Sequence, residues 1–247
     1  MMFWFLVGFC VLTLGSCHWL AGWISTRPDL EQIRWASLGG GAGLAYVFIH
    51  LLPELASGGR TISDAVAMQP FIPTAMTESL LFLVTLLGVV IPYTLSVVSQ
   101  QHPFARGWTG SARLLTFGLV NYLYAYSLPS LFTTGISYGL LFTVAISAHI
   151  LLADRTLAAD HPKAFRQRFR WLGSAALILG TIHAVVLHPV SELTLAVATA
   201  FVGGGLLISV FREELPDARR SSLIWFGLGL FIMTTFLLLA TAQHAHS

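Results

Sequence analysis

The chain is 247 residues long; 55% of them are hydrophobic, only 10% are charged, and the mean hydropathy is +0.76. An ordinary soluble domain is about a quarter charged, so this composition excludes one and leaves an integral membrane protein. The net charge of +2 says little by itself; where the charges sit along the chain is informative.

Eight apolar runs, each near the length a bilayer needs, are expected as helices over about 2–24, 36–57, 79–99, 113–134, 136–158, 171–189, 191–212 and 222–241. The fold class is therefore all-α and polytopic, with residues 1–247 forming one transmembrane domain. No basic residue precedes the first run, as a signal-peptide n-region would require, so that run is read as a helix. Cys10 and Cys17 lie in it about 10 Å apart along the helix axis, too far for a disulfide. His18, in the same run, is read as a packing histidine.

The loops set the orientation. Of the 13 basic residues, all but Arg60 fall in the loops after odd-numbered runs or at the run ends beside them, with Lys163, Arg166, Arg168 and Arg170 clustered between the fifth and sixth. The positive-inside rule makes those loops cytoplasmic and places both termini outside. The expected location is the cell (inner) membrane, crossed many times.

The second and seventh runs share a pattern. Residues 40–54 read GGAGLAYVFIHLLPE, and 163 positions later residues 203–217 read GGGLLISVFREELPD, with seven identities in fifteen positions. Both segments begin on glycines, which let helices approach closely in lipid. Both end on a proline, Pro53 or Pro216, that removes a backbone donor and frees the carbonyl of Ile49 or Arg212. Each helix is expected to bend or unwind there. With the orientation above, the two segments run antiparallel. Runs 1–3 and 6–8 then form an inverted repeat around a hairpin of runs 4 and 5, a 3+2+3 arrangement of the kind that places a substrate site at the midplane. The outer runs of each triad carry no visible repeat.

Polar groups mark a path. Tyr46, His50 and Glu54 share one helix face, as do Ser209, Glu213 and Asp217 in the repeat. An imidazole and a carboxylate at this spacing suit a borderline divalent cation. His50, roughly 10 Å inside the external boundary, reads equally as ligand or as packing. Glu213 and Asp217, near Arg219 and Arg220, read on their own as solvated residues at a helix end. In the hairpin, Asn121 and His149 come to about the same depth, 12–14 Å from the cytoplasmic ends, and either share a ligand or hydrogen-bond each other. Asp154 falls some 140° round the helix from His149. His183 is read as hydrogen-bonded packing.

Together these features resemble the ZIP family of divalent-metal transporters, most clearly in LAYVFIHLLPE of the second run and in its counterpart in the seventh. The resemblance implies eight spans in the 3+2+3 arrangement with a metal centre on the central hairpin. Where that family carries H-N-x-x-D-G, this chain has Val120-Asn121-Tyr122-Leu123-Tyr124-Ala125; where the family carries H-E-x-P-x-E, it has His149-Ile150-Leu151-Leu152-Ala153-Asp154. A two-metal centre of the family type cannot form from these residues. What the resemblance implies is a divergent permease for a zinc-, iron- or manganese-class cation with a reduced metal site, Asn121, His149 and Asp154, and a transport path past His50, Glu54, Glu213 and Asp217. The other reading is a ZIP-fold protein that has lost transport and serves as a sensor or assembly partner. An enzyme is not expected, because no nucleophile–base pair is recognisable, and the lone lysine, Lys163, lies outside the spans, where no intramembrane Schiff base can form. The expected partners are the lipid bilayer, a divalent cation as cargo and a second copy in a homodimer, with no nucleic acid; no resident cofactor is expected beyond such a metal ion.

Overall fold

A computed structural model describes residues 2–27, 29–58, 74–101, 106–187, 191–214 and 221–245. Among them the secondary structure is entirely helical. Helix α1 spans Met2–Ile24. Helix α2 spans Asp29–Tyr46 and continues through a π-helical turn, Val47–Leu51, to residue 58. Helix α3 is Thr74–Gln101, α4 Arg106–Thr134 and α5 Ile136–Asp160. Helix α6 runs Pro162–Val186 with a π-turn at Phe165–Phe169. Helix α7 is Glu192–Ser209, followed by a π-turn at Val210–Glu214, and α8 is Leu223–Ala245.

All eight expected helices are present, but several run longer than their apolar cores. Helix α4 begins at Arg106 rather than near 113, α3 covers 74–101 rather than 79–99, and α6 starts at Pro162 rather than 171. A bilayer limits the apolar stretch, whereas helical hydrogen bonding carries on into the polar flanks until a cap or proline stops it. Pro162 is such a stop, sitting in the first helical turn where its missing N–H costs nothing.

The described residues form an apolar surface around a mainly apolar interior that also holds the buried polar side chains. Leu12, Leu115, Val186, Leu223 and Ile224 lie at the surface, while His18, Ser37, Thr85, Asn121, Ser127, Thr143 and Asp154 are buried. This is the arrangement lipid selects, since only the interior offers hydrogen-bond partners. Among the described residues, six helices are long and apolar enough to cross a membrane: α1, α2, α3, α5, α6 and α7. The apolar stretch of α8, Leu223–Leu239, is shorter, and α4 carries arginines, tyrosines and Asn121 along its length.

The most extensive helix contacts are α2 with α8, α4 with α6, α3 with α7, and α1 with α5. Exchanging α1–α3 with α6–α8, and α4 with α5, turns each of these pairings into another of the four. The glycines repeat the relation at atomic detail. A Cβ added at Gly41 would overlap the Phe226 carbonyl oxygen, and one at Gly204 the Thr85 carbonyl oxygen. Conversely a Cβ at Gly229 would overlap the Leu38 carbonyl, and one at Gly88 that of Phe201. Gly41 and Leu38 lie 163 positions before Gly204 and Phe201, and Thr85 and Gly88 lie 141 before Phe226 and Gly229. Helices α3 and α8 are thus equivalent in packing, and in that register Leu87, Gly88, Ile91 and Thr94 match Leu228, Gly229, Ile232 and Thr235.

Other glycines have nothing within 4 Å of an added Cβ, among them Gly8 and Gly15 in α1. Gly15→Ala is expected to leave thermal unfolding in detergent unchanged or to stabilise by about 0.5–1 kcal/mol through helix propensity; a loss of more than that would mean α1 is covered on that face.

The repeated prolines act through helix widening. The π-turns Val47–Leu51 and Val210–Glu214 occupy positions that differ by the same 163 residues. Helix α2 does not unwind at Pro53: the Leu52 N–H bonds the Val47 oxygen, five residues back, and the helix continues to residue 58. In this turn the Val47 oxygen pairs with a donor five residues on rather than four, and the widened stretch ends two residues before Pro53, which has no N–H to give. Pro216 lies outside the described residues, so the matching turn in α7 is seen only as far as Glu214.

Candidate functional site

Helices α1, α4 and α5 converge on one buried polar cluster. His18 of α1 places Nδ1 2.5 Å from Asp154 Oδ2 of α5 and Nε2 3.1 Å from Asn121 Oδ1 of α4. Asn121 Nδ2 donates to the Phe117 carbonyl at 3.0 Å, which turns its oxygen toward the imidazole, so Nε2–H is the donor of the second bond. Nδ1, on the other side of the ring, faces the Asp154 carboxylate. Exposures of 0% for His18, 3% for Asn121 and 1% for Asp154 leave all three almost fully buried. Helix α6 makes room for the ring, since a Cβ at Gly173 would overlap the imidazole, and Phe117 packs against it with centroids 5.7 Å apart.

Asn121, Asp154 and His149 all line one cavity of about 290 Å³ bounded by α3, α4, α5, α6 and α7. The structure thus gathers the three expected ligands around one space, but it corrects how they are engaged. Asn121 and Asp154 converge on His18, while His149 reaches the edge of the Tyr124 ring, centroids 6.2 Å apart. Among the described residues no three His, Cys, Asp or Glu side chains are placed to hold a metal ion together. The helical angle between His149 and Asp154 is the physical reason: Asp154 points to α1.

His50 and Glu54 line a second, smaller cavity of about 40 Å³ with Tyr46, Ser127 and Thr199. His50 belongs to the π-turn of α2, and its ring packs between Tyr46 (5.2 Å) and Tyr138 (6.0 Å). Tyr124 is common to the walls of both cavities; it is 1% exposed and also stacks edge-on against Phe142. A third small space beside His149 is lined by Val47 and Val210, the first residues of the two matched π-turns. Glu213 belongs by its backbone to the α7 π-turn, but its side chain, and Asp217 altogether, lie outside the described residues. His183 hydrogen-bonds the Tyr122 hydroxyl through Nδ1 and packs against Tyr126, as a packing histidine should.

The residue that sequence reasoning missed is His18. It lies six residues from the end of α1 at Ile24, and Asp154 six from the end of α5 at Asp160. The depth argument that pairs Asn121 with His149 would have found His18 had α1 been counted as a neighbour of α5. No protein-family model matches the chain, and no curated protein matches it; the resemblance to the ZIP family rests on the residues quoted above.

Proposed function

We propose that the protein is a ZIP-like membrane carrier with eight spans in an inverted 3+2+3 arrangement, both termini outside the cell (inner) membrane, moving a divalent cation of the zinc, iron or manganese class. The observation that carries the carrier reading is the pair of cavities meeting at Tyr124, one bordered by Arg113 and Arg212 and the other by His50 and Glu54. Two cavities that share one buried wall side chain suit a path that alternating access would open and close. The exchange relation among the helix pairs and the matched π-turns support the two-fold axis. The basic residues support the orientation. The choice of metal as cargo rests on the resemblance, with His149 and Asp154 as the retained ligands and Asn121 beside them.

The second reading, a ZIP-fold protein without transport that acts as a sensor or assembly partner, is favoured by one observation: Asp154 is already bonded to His18. A dication in low dielectric needs charge compensation, so binding there has to displace the imidazole or recruit it as a ligand.

Purified protein in liposomes distinguishes the two. The carrier reading expects saturable zinc or manganese uptake, abolished by His149→Ala and by Asp154→Ala and nearly unchanged by His183→Ala. A wild-type protein that neither takes up nor binds divalent metal at micromolar concentration leaves the sensor or assembly reading in its place.

A further inference from the structure

The larger cavity carries the wrong charge for a cation alone. Arg113 enters its wall from α4 and Arg212 from the π-turn of α7. Among the described residues lining it the one carboxylate is Asp154, and His18 already holds that group. Among the described residues, no acidic side chain lies within ion-pair distance of either arginine. Two guanidinium groups facing a partly enclosed space set up a positive potential that low-dielectric walls strengthen.

Arginines near a membrane boundary ordinarily extend toward water or headgroups. Arg212 is exposed but also reaches along the cavity wall, with Nη2 donating to Ser96 Oγ at 3.3 Å and its guanidinium carbon 5.6 Å from the centroid of the Tyr93 ring, both on α3 and both lining the cavity. Arg113, half-buried on the same wall, stands where the apolar part of α4 begins.

We propose that this cavity binds a phosphate group between Arg113 and Arg212. The guanidinium fork matches phosphate oxygens in geometry as well as charge, and about 290 Å³ admits a small phosphate ester or a single headgroup. The ligand is either free phosphate from the aqueous side or the headgroup of an anionic phospholipid. The site does not depend on metal transport; in a metal carrier its anion would offset the field of the arginines on the cargo.

Two arms test it, each on the full chain in phosphatidylcholine nanodiscs. In the first, inorganic phosphate is titrated by calorimetry at neutral pH. In the second, retention of phosphatidylglycerol is measured by native mass spectrometry after mixed-lipid reconstitution. Saturable binding in either arm, weakened at least tenfold by Arg113→Gln or Arg212→Gln, lost in the double variant and unchanged in Arg27→Gln, supports the site and identifies its source. Arg27 is the control because its guanidinium lies over the Trp23 ring and does not line the cavity. Wild-type protein that binds neither ligand overturns the proposal without recourse to a variant, as does binding of equal strength in the double variant.

Discussion

His18→Ala is expected to destabilise the protein by about 3–5 kcal/mol, the range for breaking a buried ion pair by removing one partner. The substitution strands the Asp154 carboxylate and the Asn121 amide oxygen, both bonded to the imidazole in the wild type and both in contact with almost no water. It also leaves a ring-sized void against Gly173 and Phe117. Most of the loss is the unpaired acid. Combining His18→Ala with Asp154→Ala is therefore expected to cost clearly less than the two single losses added together, with a coupling of about 1–3 kcal/mol. Thermal or denaturant unfolding of the purified protein in detergent, followed by circular dichroism, reads both quantities. Additive losses, or a single loss below about 1 kcal/mol, would show that the contact in α1 is incidental.

Gly41→Ala and Gly204→Ala are expected to be nearly as damaging, each by about 3 kcal/mol or more, the upper end of overpacking. In lipid no hydrophobic force draws helices together, so close backbone approach and the dispersion it brings hold α2 to α8 and α3 to α7. An added methyl at either glycine meets a backbone carbonyl, of Phe226 or Thr85, that cannot rotate aside. The whole helix has to retreat, and the contacts along the pair are lost together. The two variants should fall by similar amounts, because the two contacts are repeats of one another. Folded yield by size-exclusion chromatography, together with unfolding midpoints, measures the effect; tolerance of both alanines within about 0.5 kcal/mol would show that the helix pairs are looser than their geometry implies.

Much of this architecture could be read from the chain directly. Low charge and long apolar runs imply a helical membrane protein, because only an element that satisfies its own backbone can cross hydrocarbon. The similarity of residues 40–54 to 203–217 located two matched helix distortions, because a proline perturbs the carbonyl four residues before it whatever surrounds it. The form of the distortion was not legible. A bent, an unwound and a π-widened helix all accommodate the same missing donor, and neighbouring packing selects among them.

What the sequence by itself determined is therefore what acts locally or through composition: the helices, their approximate positions, the asymmetric basic residues, the repeated proline segments and the polar residues that lipid would not tolerate outside. What only the tertiary structure decided is who meets whom. His18 reaches Asn121 and Asp154 across 103 and 136 positions, and that contact exists because α1 packs on α5 and α4 on α6. Gly88 and Gly229 share a packing role at an offset of 141 rather than 163, a match that is short and became visible only once the glycine contacts fixed the register. Asp154, about 140° round the helix from His149, meets His18 in the fold, because a buried carboxylate takes the nearest hydrogen-bond donor that the assembled helices bring to it.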